Sequence, residues 1–256
     1  VTRTRNLRLV LEYDGGPFAG WQVQPGQRTV QGALQEACAI LLREPVLIES
    51  SGRTDAGVHA LAQVASFETT SDLSCERIRR GINGLTPGGV AVLSIEEAEP
   101  DFHARFSARG KVYGYRVLAR PSASPLLRDR VWHVTWPLDR GLLAAELATL
   151  PATADWGAYR SSDCANKDPV KTLRRAELEV RDEDVLVLRF EGSGFLKRMV
   201  RILAGTAIEV ATGKLPPGAM VRIRDGRDRT KAGRTAPAHG LTLERVLYSS
   251  SSSESA

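Results

Sequence analysis

Cysteine is scarce: three in 256 residues, Cys38, Cys75 and Cys164, far apart and in no C-x-x-C pair. An odd, scattered set excludes a disulfide framework and a zinc ribbon. It fits a reducing compartment, so a cytoplasmic location is expected. No run approaches the ~20 apolar residues that a membrane-spanning helix needs. The opening VTRTRNLRLV lacks the apolar stretch of a secretory signal, so neither membrane attachment nor export is expected. The four histidines, His59, His103, His133 and His239, share no ligand spacing, and metal chemistry is not expected. There is no Gly-x-x-x-x-Gly-Lys-Ser/Thr, no strand-linked G-x-G-x-x-G and no Gly-x-Ser-x-Gly. Those absences remove the phosphate-loop, dinucleotide and nucleophile-elbow readings and leave no sign of a cofactor.

What is present describes an ordinary soluble chain with a basic bias. Residues are 42% hydrophobic and 25% charged, enough to build a core without covalent staples. The formal net charge of +5 permits a polyanionic partner. Basic residues gather in three places: Arg3, Arg5 and Arg8; Lys197, Arg198 and Arg201; and the Val221–Arg234 stretch with Arg222, Arg224, Arg227, Arg229, Lys231 and Arg234 against Asp225 and Asp228. Each cluster reads as a solvated face or as a phosphate contact.

Hydrophobic periodicity organises the chain. Leu7, Leu9, Leu11 and Tyr13 alternate with Arg8, Val10 and Glu12, which predicts a strand ending at the turn Asp14-Gly15-Gly16-Pro17. Val30, Ala33, Leu34, Ala37, Cys38 and Leu41 have helical spacing, with Thr29 as N-cap. Val46–Ile48 and 62–67 are expected strands, 74–83 a helix and 90–95 a strand. That order is β-α-β-β-α-β, the split βαβ or ferredoxin-like motif. It recurs as strand 111–119, helix 138–150, strands 173–180 and 185–190 joined at Asp182-Glu183-Asp184, helix 195–211 and strand 241–248, with extra material over 218–239. The expectation is therefore an α+β protein of two such halves. Residues 1–104 carry one half, 105–248 the other, and a serine-rich tail over 249–256 cannot pack a core.

The stretch Ser51-Gly52-Arg53-Thr54-Asp55-Ala56-Gly57 is the most unusual. A carboxylate beside an arginine stays ionised, and glycines let backbone approach a substrate closely. Asp55 then reads as a nucleophile or base, or as a turn residue paired with Arg53 on the surface. Tyr113 and Tyr115 alternate on a strand and read as packing residues, or as a ring that stacks on a base. Trp21, Trp132, Trp136 and Trp156 read as core or interface residues.

Taken together these segments resemble the TruA family of tRNA pseudouridine synthases. The residues that carry the resemblance are Ser51-Gly52-Arg53-Thr54-Asp55-Ala56-Gly57-Val58-His59-Ala60, Tyr13-Asp14-Gly15 to Gly20-Trp21-Gln22, and Thr29-Val30-Gln31. Phe102-His103-Ala104-Arg105-Phe106-Ser107-Ala108 with Tyr113-x-Tyr115, Phe195-Leu196 to Met199-Val200-Arg201, and Ala236-Pro237 to Gly240-Leu241-x-Leu243 complete them. The resemblance runs from about residue 7 to about 248. It implies two halves with antiparallel sheets joined side by side around a central basic cleft. It implies isomerisation of uridine to pseudouridine at positions 38, 39 and 40 of the tRNA anticodon stem-loop, by base flipping, without a cofactor, in a homodimer. By the same resemblance Asp55 is the catalytic aspartate and Arg53 the arginine that helps open the RNA. Tyr113 stacks on the target uracil, Arg201 ion-pairs with the aspartate, and Leu241 packs under the base. Lys197, Arg198, Arg222, Arg224 and Arg227 are the expected phosphate contacts. Two departures from the family pattern are Gly114, where a basic residue is frequent, and Lys197-Arg198, where aromatic or histidine residues are common. A non-catalytic RNA-binding protein and an Asp55-based hydrolase are the competing classes. The first needs no joint set of Arg53, Asp55, Tyr113 and Arg201, and the second lacks a partner carboxylate or metal.

Overall fold

The computed structural model describes residues 3–86 and 88–249; the serine-rich segment from 250 onward lies outside them. The chain forms two compact units, one of residues up to Arg109 together with those from Leu243, the other Gly110–Thr242.

The first unit follows the expected order: β1 (Arg5–Tyr13), α1 (Val30–Leu42), β2 (Glu49–Ser50), β3 (His59–Thr69), α2 (Cys75–Leu85) and β4 (Val90–Glu97). The alternation of β1 is realised directly, with Leu7, Leu9, Leu11 and Tyr13 buried while Glu12 faces solvent. β1 pairs antiparallel with both β3 and β4, and β2 pairs antiparallel with β3. The resulting order 4-1-3-2 is that of the split βαβ motif. Thr29 caps α1 by accepting from the Gly32 amide, and Ser74 caps α2 by accepting from Arg77. Their side-chain oxygens satisfy donors the helices leave unpaired. Asn83 fixes α2 to β4 through both the amide and the carbonyl of Val92.

One expected strand is corrected. Val46–Ile48 is extended but joins no ladder; the strand is only Glu49–Ser50. The reason is local: the Gln31 side-chain amide donates to the Ile48 carbonyl at 2.9 Å and takes the place of a ladder partner. Val46 and Ile48 bury while Leu47 is 68% exposed, so the alternation that suggests a strand is genuine.

The second unit contains β5 (Ala108–Ala119), β6 (Trp132–Val134), α3 (Arg140–Ala148), β7 (Ala152–Asp155), β8 (Val170–Val180), β9 (Val185–Gly192), α4 (Met199–Ala211) and α5 (Ala219–Gly226); β10 (Leu241–Tyr248) starts in it and continues into the first unit. Strands β5–β9–β8–β7 are antiparallel neighbours, and β8 turns into β9 at Asp182-Glu183-Asp184 as the sequence predicts. Short β6 lies parallel to β5, an addition to the antiparallel pattern. The core gathers Tyr115, Val117, Leu188 and Phe190 from the sheet with Ile202, Leu203 and Leu143 from the helices, all fully buried. Strands β6 and β7 and helix α5 have no counterpart in the sequence reading beyond the extra material over 218–239. Among the described residues no helix is long and apolar enough to cross a membrane.

Candidate active site

The stretch around Asp55 joins β2 to β3 and is held from beneath. The Trp21 amide donates to the Thr54 carbonyl at 3.1 Å, and the Val58 amide closes a turn on the Asp55 carbonyl at 3.1 Å. Side chains alternate along it: Ser51 and Thr54 are buried, Arg53 is exposed and Asp55 is half-buried. Asp55 is thus presented at a surface by a loop whose neighbours are anchored. Two glycines make the approach possible. A Cβ on Gly15 would stand 2.1 Å from the Val58 carbonyl oxygen. Gly20, at φ +97°, brings its backbone to within 2.8 Å of the Thr54 carbonyl for such an atom. Side chains are excluded at both positions by contact, and at Gly20 also by conformation. The Gly15 amide donates to Nδ1 of buried His59, and Oδ1 of Asp14 lies 3.1 Å from the same nitrogen.

Beneath Thr54 lies a polar cluster that the sequence reading did not identify. The Tyr13 hydroxyl and Thr54 Oγ1 are 2.8 Å apart, Gln63 reaches Tyr13 and the Gly52 carbonyl, and Ser51 donates to Gln63 Oε1. Burial pushes the Tyr13 hydroxyl up to about 12, against the smaller opposing pull of its bonds to Thr54 and Gln63. The available signal was Gln63, a lone amide inside the apolar strand Ala62–Phe67.

In the second unit Tyr113 lies on β5, largely buried, with the Phe195 ring edge-on at 5.2 Å. Arg201 stands on the first turn of α4; its Nε donates to the Ala236 carbonyl at 2.8 Å, and the Ala236 amide returns a bond to the Arg201 carbonyl. The next residue, Pro237, accepts from the Tyr115 hydroxyl at 2.8 Å. Gly240 has no room for a side chain because the Tyr115 ring is 2.8 Å from where its Cβ would be. Leu241 follows at once, buried at the start of β10. Segment 236–241 thereby links Arg201, Tyr115 of β5 and Leu241 in one framework.

The basic candidates are placed differently from the expectation. Lys197 and Arg198 precede α4 rather than riding on it, because Arg198 takes a left-handed conformation at φ 61° and the helix begins only at Met199. Lys197 pairs with Asp163 at 2.6 Å. That bond, with a second from Ser161, holds the Asp163 carboxyl down to about 2. Arg222 donates to the Pro217 carbonyl. Arg224 pairs with Asp225 and lies over the Trp156 ring; Arg227 pairs with Asp155. Among the described residues no group of three or more His, Cys, Asp or Glu is arranged to hold a metal ion.

A model of the tRNA pseudouridine synthase family matches residues 9–107 and 151–249. The chain is 44% identical over 245 residues to the tRNA pseudouridine synthase A of Citrifermentans bemidjiense, an alignment covering 95% of this chain and 98% of that protein. It is 44% identical over 246 residues to the protein of the same name from Pelobacter propionicus, covering 95% and 100%. Against that of Myxococcus xanthus it is 42% identical, covering 94% and 91%. Identity of this extent over nearly the whole length, with the family model matching most of the chain, means that the chain belongs to the tRNA pseudouridine synthase family.

Proposed function

We propose that this chain isomerises uridines at positions 38, 39 and 40 of the tRNA anticodon stem-loop, with Asp55 as the reacting carboxylate, and that it works as a homodimer. The reaction breaks the N1–C1′ glycosidic bond, turns the base and joins C5 to C1′. The hydrogen on C5 leaves as a proton and N1 gains one, so atoms and electrons balance without oxidant, reductant or group donor. The target is stacked in the anticodon arm and must be flipped out before its C1′ is accessible. Attack on C1′, addition to the base and removal of a sugar proton are the three routes for a carboxylate here, and each requires the Asp55 anion. Tyr113 supplies the ring that stacks on the uracil, Leu241 the apolar support and Arg201 the positive charge for the aspartate. Arg53 assists opening of the RNA, and Lys197, Arg198, Arg222, Arg224 and Arg227 contact phosphates.

The observation that carries this reading is the setting of Asp55. It is half-buried on a loop whose preceding residue is anchored by side chain and carbonyl. A turn-closing surface aspartate has no need of that anchoring. The test is release of tritium from C5 of uridine in an unmodified tRNA transcript, without added cofactor, by wild type and Asp55→Asn. Release by wild type alone is expected, with tRNA binding by the variant within a few-fold. Transcripts retaining a single uridine at 38, 39 or 40 map the sites. Release by Asp55→Asn would overturn the assignment.

A further inference from the structure

We propose that Tyr13, Gln63 and Thr54 are positioning residues for the isomerisation: a buried relay that fixes the backbone of the Asp55 loop without touching RNA. The inference rests on the reading of Asp55 given above.

The bonding capacity of the Gln63 side chain is completely used. Its amide nitrogen donates to the Tyr13 oxygen at 3.3 Å and to the Gly52 carbonyl at 2.9 Å; its oxygen accepts from Ser51 Oγ at 2.7 Å and from the Val64 amide at 3.2 Å. Two donors and two acceptor sites are all an amide has, so its orientation is determined. Gln63 donates into the Tyr13 oxygen, and the Tyr13 hydroxyl in turn shares a hydrogen bond with Thr54 Oγ1, 2.8 Å away, in which either oxygen can donate. The relay therefore connects Gln63 through Tyr13 to the residue just before Asp55. It grips the loop at three successive places: Ser51, the Gly52 carbonyl and Thr54. With the Trp21 bond to the Thr54 carbonyl and the 55–58 turn, the backbone on both sides of Asp55 is constrained.

The sheet is modified to make this possible. Leu11 opposes Gln63, but Tyr13 opposes Ala60, so β3 has one residue more than β1 across this interval. Such bulges re-aim side chains and are over-represented beside active sites. The cluster is also expensive to keep if it only fills space. Tyr13, Ser51, Thr54 and Gln63 are all buried, Gln63 completely, and buried polar groups stabilise little over well-packed apolar ones. They do impose a unique geometry when every member is satisfied, as here. The Tyr13 hydroxyl stays protonated across the working range, so the relay does not switch with pH.

The experiment compares Tyr13→Phe, Thr54→Val, Thr54→Ser, the double variant Tyr13→Phe/Thr54→Val and Asp55→Asn. For each we would measure single-turnover tritium release at saturating enzyme and, separately, the Kd for tRNA. Misplacing a reacting group by ~1 Å costs up to about 100-fold in rate. Tyr13→Phe and Thr54→Val are expected to slow the chemical step about 10-fold or more with Kd changed by less than about 2-fold. Thr54→Ser, which keeps the hydroxyl, should restore the rate to within about 3-fold, and the double variant should be no slower than the slower single one. A role in folding alone would lower the active fraction, leave the single-turnover rate constant of the folded enzyme unchanged and show no rescue by serine. Wild-type rate constants in Tyr13→Phe and Thr54→Val beside an inactive Asp55→Asn would overturn the relay. An active Asp55→Asn would instead overturn the reading on which it rests.

Discussion

At the residue scale, each side chain's use is decided by what surrounds it rather than by its type. Tyr113 and Tyr115 are two residues apart on β5, yet Tyr115 is spent on the framework. Its hydroxyl donates to Pro237, its ring closes on Gly240, and burial raises its pKa far above that of a free tyrosine. Tyr113 packs edge-on against Phe195. If its ring is what stacks on the flipped uracil, Tyr113→Phe should retain tritium release within about 3-fold. Tyr113→Ala should lose the roughly 1–3 kcal/mol typical of one base–aromatic stack. A collapse in Tyr113→Phe would assign the chemistry to the hydroxyl instead. The same lesson applies to the tryptophans. Trp21, Trp132 and Trp156 are core residues, whereas Trp136 is 64% exposed.

At the scale of elements, the helices are stopped and seated by backbone contacts that composition does not reveal. The segment before β10 reaches Arg201 only because it lies against α4 without an intervening side chain. A Cβ on Gly205 would stand 1.9 Å from the Arg234 carbonyl oxygen. Gly205→Ala should therefore push segment 234–236 off the helix. Overpacking of this kind typically costs about 1–3 kcal/mol. For a chain of this size that is a fall in Tm of roughly 2–12 °C in thermal denaturation. An unchanged Tm would mean that the segment yields without cost. Gly213, at φ +75° with nothing near its Cβ position, ends the same helix by conformation alone. The start of α4 shows the converse. The apolar periodicity continues back to Phe195, but Arg198 in the left-handed region breaks the hydrogen-bond ladder, which no hydrophobic pattern encodes.

At the scale of the whole molecule, the excess of positive charge is the property that bears on a nucleic-acid substrate. Much of it is already matched locally, Lys197 by Asp163, Arg224 by Asp225 and Arg227 by Asp155. Each pair has at least one solvent-exposed partner, and pairs screened in this way are worth about 0–1 kcal/mol, so exchanging a carboxylate for a phosphate costs little. Each phosphate contact contributes about 0.7–0.9 to the slope of log K against log salt. Arg224→Ala/Arg227→Ala should therefore flatten the slope of tRNA binding by about 1.4–1.8. Arg224→Ala alone should also reduce stability, because its side chain is only 14% exposed and lies over Trp156. An unchanged slope would place the RNA away from α5.

Period-two and period-3.6 patterns, with Thr29 as a cap, were enough to place most strands and helices and the β-α-β-β-α-β order of both halves. These are short-range consequences of where apolar side chains must go, so they are legible in the residue order. The ten residues around Asp55 likewise marked the candidate loop and, with four further segments, the family. What folding alone decided is which polar groups meet. Gln31 taking the Ile48 carbonyl, Gln63 joining Tyr13 to Gly52, and Arg201 exchanging bonds with Ala236 all link residues 11 to 50 positions apart. A buried hydrogen bond depends on distance and direction in space, and a one-residue register shift redirects it. The Asp55 loop was readable along the chain as the candidate site; the scaffold that holds it still was not.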